Sequence, residues 1–283
     1  MSLKTYHDMK KILIPIDFSK HSEYAAVLAS KIAKKTKSEI HLLHMVELPT
    51  GIIDMGSGNN FSIPESMLYI RKVRDKLIDF KEKYFPDISD IKHSIRFQNP
   101  FEGINDYSKK INADLIIMGS KGQTALNEIL IGSNTEKTVR SMEIPVLVTK
   151  KNSDDFKFDK MAFASTFEKD EALALKGFLD FAKNFNTEVY FLKINTPNKF
   201  ENTTETKKKI EAFISEHKID NYKIAIYNDR SVEEGILNFS DEKGIDLVSL
   251  ATHGRSGLSR FFNGSVSLNL SKNVLKPVLT FKV

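Results

Sequence analysis

The sequence predicts an α/β protein of two tandem doubly wound domains. Each should hold a five-stranded parallel sheet with helices on both faces. Three observations carry this expectation. The 283 residues suffice for two domains of about 140 residues each. Short apolar runs alternate with helix-period segments along the whole chain, the pattern of right-handed βαβ crossovers. And residues 113–148 align without a gap on 245–280, placing Asp114 on Asp246, Gly122 on Gly254, Gly132 on Gly264, Ser133 on Ser265 and Pro145 on Pro277. The register extends upstream, where Glu102-Gly103-Ile104 falls on Glu234-Gly235-Ile236. A repeat of this length is a duplicated domain. The expected domains are 1–150 and 151–283, joined by the charged segment KKNSDDFKFD.

The elements follow in order. Lys11–Ile16 is a buried strand by its apolar, β-branched content. Ser19 caps a helix whose apolar face includes Ala25, Leu28 and Ile32. Residues 39–46 form a second strand. The Gly-, Asn- and Ser-rich stretch 47–63 is a long loop and a candidate lid. A helix covers 64–84 with Pro64 in its first turn. Strands at 91–97, 114–119 and 144–150 alternate with helices at 101–112 and 132–142. The second half repeats the order, with strands near 160–165, 187–194, 221–227, 246–251 and 277–283. Its helices are expected near 168–184, 204–217, 231–242 and 264–274. The closing strands of the halves, 144–148 and 277–281, are apolar edges. Pairing them antiparallel would bury both and join the halves as a pseudo-dimer within one chain.

Composition narrows the function classes. With 41% hydrophobic and 28% charged residues the chain reads as an ordinary globular protein. The net charge of +5 is spread among acidic residues, which favours a solvated surface over a nucleic-acid partner. Cysteine is absent, so disulfides, thiolate nucleophiles and cysteine metal sites are excluded. The polar N-terminus lacks a signal-peptide core. The apolar runs are too short to span a bilayer. The expected location is the cytoplasm, without a membrane.

The distinctive chemistry is Gly119-x2-Gly122-x9-Gly132-Ser133, which follows an apolar strand and opens a helix. Glycines leave no Cβ in the path of a bound group. A helix start offers unpaired N–H groups and a dipole that favour phosphate, and the hydroxyls of Ser133 and Thr135 can add donors. In an open α/β sheet, ligands bind beyond the carboxyl ends of the strands where the strand order reverses. The first and fourth strands flank that point and end at Asp17 and Gly119. From spacing alone, Asp17 is equally a helix cap, and a methionine at Met45's place is more often a core residue than a ligand wall; Lys121 reads as a phosphate partner or as a solvated loop residue.

Ile12–Asp17 with Phe18-Ser19, the spaced glycine loop and the closing Ile-Pro-Val-Leu-Val strand resemble the universal stress protein family, in a tandem form. The loop is similar to that of the family's ATP-binding branch. The resemblance implies an adenine nucleotide α-hydrolase-like, Rossmann-like fold with strand order 3-2-1-4-5 in each half. It implies ATP, with or without Mg2+, as ligand. Asp17 then lies near the ribose and adenine, and the Met45 backbone meets the adenine edge. Met118 and Gly119 lie on the ribose side. Gly122, Gly132, Ser133, Asn134 and Thr135 form the phosphate cradle, with Asn134 replacing the usual small apolar residue.

The second half retains Gly254, Gly264 and Ser265 but has Ala251 in place of Gly119. Aligning Met161–Thr166 on Leu13–Phe18 puts Ser165 where Asp17 stands. The second site is therefore expected to be weaker. No nucleophile–base pair, carboxylate cluster or Gly-x4-Gly-Lys motif announces catalysis or a catalytic metal. The expected function is that of an ATP-binding stress-response regulator. A slow ATPase on the same site and a nucleotide-independent adaptor are the alternatives. Further pairing into a homodimer is compatible with the sequence.

Overall fold

The computed structural model describes residues 9–46, 63–121, 132–151, 155–217, 219–252 and 276–283. The first half contains β1 (Lys11–Ile16), α1 (Lys20–Thr36), β2 (Glu39–Met45), α2 (Ile63–Tyr84), β3 (Ile91–Arg96), α3 (Pro100–Ile111), β4 (Leu115–Gly119), α4 (Ser133–Ser141) and β5 (Val146–Thr149). The second contains β6 (Lys160–Ala164), α5 (Ala172–Ala182), β7 (Glu188–Asn195), α6 (Thr203–Ile214), β8 (Tyr222–Asn228), α7 (Val232–Lys243), β9 (Leu247–Thr252) and β10 (Val278–Lys282). Most of loop 47–63 and the expected helix 264–274 lie outside the described residues.

All ten strands form one sheet in the order β3-β2-β1-β4-β5-β10-β9-β6-β7-β8. Each half therefore has the 3-2-1-4-5 order, parallel throughout. The halves join where β5 and β10 pair antiparallel. The register there opposes Leu147 to Leu279, residues that the repeat itself aligns. An element that meets its own counterpart head-on defines a pseudo-twofold axis, the geometry of an isologous dimer.

Local chemistry fixes the elements. Asp114, at the start of β4, accepts hydrogen bonds from the amides of Lys10 and Lys11 at 2.9 and 3.0 Å. Asp246 does the same for Asp159 and Lys160, both at 3.0 Å. The repeated aspartate is a clamp that aligns the first and fourth strands of each half. Asn112 and Gly244 occupy the left-handed C-cap after α3 and α7, with φ of 51° and 64°. The inner strands β1, β2, β4 and β5 are largely buried, as expected of parallel strands covered by helices on both faces. One core cluster holds Ile12, Ile14, Leu28, Phe163 and Phe178; the other holds Leu13, Ile116, Val139 and Phe239.

The charged linker also carries aromatic anchors: Phe158 stacks on Phe185 with ring centroids 4.0 Å apart, and Phe156 packs on Phe158 at 4.7 Å. Two aromatics among the charges anchor the crossing to the second half. The helix expected at 168–184 begins as a 3-10 turn at Lys169–Glu171 and becomes α-helical only at Ala172. Glu171 turns inward there, and the tighter turn accommodates it.

Candidate functional site

The chain leaves β1 through Asp17. Phe18 then takes a left-handed conformation, φ 62°, which reverses the backbone into α1. Ser19 caps that helix, its side chain accepting from the Ser22 amide at 3.2 Å. Asp17 Oδ1 accepts from the Ser19 amide at 3.0 Å. Asp17 thus serves the turn as well as standing at the carboxyl end of β1.

Gly119 closes β4. A Cβ there would lie 2.5 Å from the backbone C and O of His21. The first turn of α1 therefore rests directly on Gly119, a packing reason for glycine that the motif alone did not supply. The next residues, Ser120 and Lys121, are buried. The Gly132 amide donates to the Ser120 carbonyl at 2.8 Å, which ties the two ends of the glycine loop together. Gly122 lies between them, outside the described residues.

Gly132 caps α4 without a side-chain hydrogen bond, so no side chain competes for the first-turn amides. Ser133 is exposed and Asn134 half-buried. Thr135 is buried, and its hydroxyl donates to the Gly119 carbonyl at 2.9 Å. The Thr135 hydroxyl thereby joins α4 to β4. Met118 is buried in the core. The Met45 side chain covers Gly103 of α3, where a Cβ would collide with its Cε. Both methionines pack inward, so any ligand contact at these positions is left to the backbone.

Two titratable groups that sequence reasoning passed over stand at the same end of the sheet. Lys150 directly follows β5; burial and the neighbouring Lys121 ammonium push its pKa down to about 8. His21, in the first turn of α1, is held below its ordinary value by burial and then by Lys121, while Asp17 pulls the other way. A lysine just past a strand is a visible signal, but only tertiary contact reveals that two of them converge. Such a concentration of positive charge beside an open helix start suits an anion.

His44 sits on the neighbouring strand, its Nδ1–H donating to the Ile16 carbonyl at 2.8 Å. Its ring lies 4.7 Å from that of Phe18. Burial lowers its pKa, against the Ile16 bond and Asp17; Lys76 lowers it further. The folded chain thus binds the proton less readily than the unfolded chain, whose histidine titrates near 6.5. Stability should fall as pH drops below about 6.5 through this group's contribution. Urea unfolding of wild type and His44→Gln at pH 7 and 5 checks it: the variant should lose less stability on acidification, and parallel losses would refute the assignment.

In the second half, β6 pairs Met161 with Leu247 where β1 pairs Ile12 with Leu115. This register matches Lys11 to Lys160 and Phe18 to Phe167, and Phe167 also has a left-handed φ of 59°. Thr166, not Ser165, therefore stands opposite Asp17. The repeat had slipped by one residue; the shared Lys and Phe were the signal that could have set it. The acidic group comes instead from Glu171. Its Oε2 accepts from the Ser165 hydroxyl at 2.6 Å, the Thr166 amide at 3.0 Å, the Thr166 hydroxyl at 2.8 Å and the Phe167 amide at 3.0 Å. Ala251 stands where Gly119 stands in the first half. Gly254, Gly264 and Ser265 lie outside the described residues. Among the described residues, no group of three or more His, Asp or Glu side chains is placed to hold a metal. No helix among them is long and apolar enough to cross a membrane.

A model of the universal stress protein family matches residues 9–150 and again 157–282. A universal stress protein of Methanocaldococcus jannaschii is 32% identical over 147 residues, covering 50% of this chain and 82% of that one. A universal stress protein of Synechocystis is 25% identical, covering 97% of this chain and 100% of its own. Among solved structures, one of a universal stress protein from Archaeoglobus fulgidus superposes with a TM-score of 0.70 at 19% identity, over 99% of each chain. At that identity the likeness shows the tandem fold alone.

Proposed function

The chain belongs to the universal stress protein family, and from that premise we propose that it is a stress-response regulator whose first half, residues 1–150, binds ATP. The observation that carries this reading is the open start of α4. Its glycine cap leaves the first-turn amides without side-chain competition, and the Ser120–Gly132 bond draws it to the end of β4. Lys121 and Lys150 stand close enough there to perturb one another. An anion relieves that repulsion. The residues present thus fit a polyphosphate, with Gly122, Gly132, Ser133 and Asn134 as its cradle and backbone amides as donors. Asp17 would face the ribose and adenine, with the backbones of Met45, Met118 and Gly119 around them. ATP, with or without Mg2+, supplies negative charge whose presence would bias the arrangement of loop and helix.

The second half, 151–283, lacks an aspartate after its first strand and has Glu171 turned into that corner. About one high-affinity ATP per chain is therefore expected. Calorimetric titration of the full chain tests this, and two equal sites would overturn the asymmetry. Gly122→Val should remove binding; unchanged affinity would remove the site.

Lys150 adds a proton signature. A phosphate favours its charged form and so raises its pKa above about 8. Binding should then take up protons near pH 8 to 9, and affinity should weaken as pH rises through that range. Titration in buffers of different ionisation enthalpy reads the uptake, which Lys150→Gln should abolish. Phosphate release measured alongside should show no turnover; hydrolysis would convert the reading to an ATPase.

A further inference from the structure

Strands β3 and β8 lie at the two ends of the sheet, and among the described residues neither has a second neighbouring strand. A free edge offers unpaired N–H and C=O groups to another chain unless its side chains forbid it. These two edges are copies of one strand, so their differences show which is defended.

Hydrogen bonds fix which groups of β8 point outward. The Asn221 carbonyl accepts from the Val189 amide, and the Asp229 amide donates to the Asn195 carbonyl, both at 3.0 Å. Odd-numbered residues therefore turn toward β7, while Tyr222, Ile224, Ile226 and Asn228 turn N–H and C=O to the free edge. An antiparallel partner must set outward residue against outward residue. A second β8 centred on Ala225 does so throughout: Tyr222 falls opposite Asn228, and Ile224 opposite Ile226. Both isoleucines already pack against the core, so their meeting extends that apolar layer. On the other face Lys223 falls opposite Tyr227. Lys223 is paired with Glu188 at 2.7 Å and lies 5.6 Å from the Tyr190 ring. It therefore brings a neutralised charge to a second ring. The strand YKIAIYN complements itself.

β3 fails the same test. The Ile40 amide donates to the Asp90 carbonyl at 3.0 Å and the Val46 amide to the Arg96 carbonyl at 2.8 Å, so its even-numbered residues face β2. The equivalent pair, centred on Ser94, sets Lys92 opposite Arg96. Like charges directly opposite oppose pairing. The sheet registers match Lys92 to Lys223 and Arg96 to Tyr227. The second half has thus kept the lysine and lost the cation that defends the edge.

We infer that β8 is a self-association surface: two copies of this chain pair antiparallel through β8, Ala225 against Ala225, and continue the sheet from one molecule into the next. This pairing needs no nucleotide and is independent of the ATP reading of the first half. One pair of strands of seven residues is a small contact beside the standard interface of about 800 Å2 per partner. A Kd of about 10–100 μM is therefore expected.

Sedimentation equilibrium of the full chain without nucleotide, from about 1 μM to 1 mM, spans that range. Wild type should pass from monomer to dimer. Tyr227→Arg restores the charge pattern of β3, and twofold symmetry creates the clash twice, so dimerisation should weaken about tenfold. Tyr227→Phe keeps the ring and should dimerise as wild type does. Asn228→Pro, at the exposed end of the strand, removes an outward N–H that the sheet does not use and should also weaken the dimer. A thermal melt close to wild type shows that each variant is folded. Residue-resolved hydrogen exchange should slow at the Ile224 and Ile226 amides as concentration rises, with no change over 91–96. Pairing through β8 is refuted if the chain stays monomeric throughout, if both folded variants, Tyr227→Arg and Asn228→Pro, associate as wild type does, or if the slowing appears over 91–96 instead.

Discussion

Aspartate at both Leu147 and Leu279 should separate the two halves. The residues face each other across the β5–β10 pair, and both are fully buried. Their side chains belong to one core cluster that runs through both halves. Two carboxylates there would be desolvated, adjacent and without cationic partners. Each such burial costs several kcal/mol or is avoided by protonation or by opening the structure. Against a typical total stability of about 5–15 kcal/mol, the sum is enough to part the sheet at its central seam. Urea unfolding should show a large fall in midpoint, and limited proteolysis should cut the segment between Thr149 and Lys160. Leu147→Asp alone should give a smaller effect in the same direction. Wild-type stability and protease resistance in the double variant would mean that the halves are not held together by these strands.

Gly119→Ala should strike both fold and site. The added methyl group would stand 2.5 Å from His21 backbone atoms, which cannot rotate away as a flexible side chain could. Helix α1 must shift. Overpacking of this kind costs typically about 1–3 kcal/mol. The shift would also carry Ser19 away from Asp17 and disturb the carbonyl that accepts from Thr135. A lowered urea midpoint together with at least tenfold weaker ATP binding is the expected result. Unchanged stability would show that α1 does not rest on Gly119. The reciprocal change, Ala251→Gly, meets no such constraint and should leave ATP binding in the first half unchanged.

The contrast between these two positions shows how far the residues could be read in order. Gly119 and Ala251 aligned correctly because Asp114 and Asp246 anchor the same register nearby. What was not visible is the packing: the first turn of α1 rests directly on Gly119, where a Cβ would lie 2.5 Å from His21 backbone atoms. Ser165 was misaligned because short apolar strands tolerate a one-residue slide when only composition is compared. Hydrogen-bond pairing with β9 removes that freedom. Likewise, Thr135 carries a donor in any reading, but only its contact with Gly119 shows where the donor is spent.

What the sequence determined by itself was periodicity and recurrence: strand-helix alternation, duplication, the 3-2-1-4-5 halves through family likeness, and the apolar closing strands. These depend on local patterns that the chain repeats, and so survive without coordinates. What only the tertiary structure decided was convergence. Lys121, Lys150 and His21 meet at one end of the sheet, Leu147 meets its own counterpart Leu279, and Glu171 reaches back to Ser165 and Thr166. Such meetings join residues from different elements, or from a turn whose form the pattern does not specify. Their charges and hydrogen bonds take on meaning only once burial has removed water and fixed their separation.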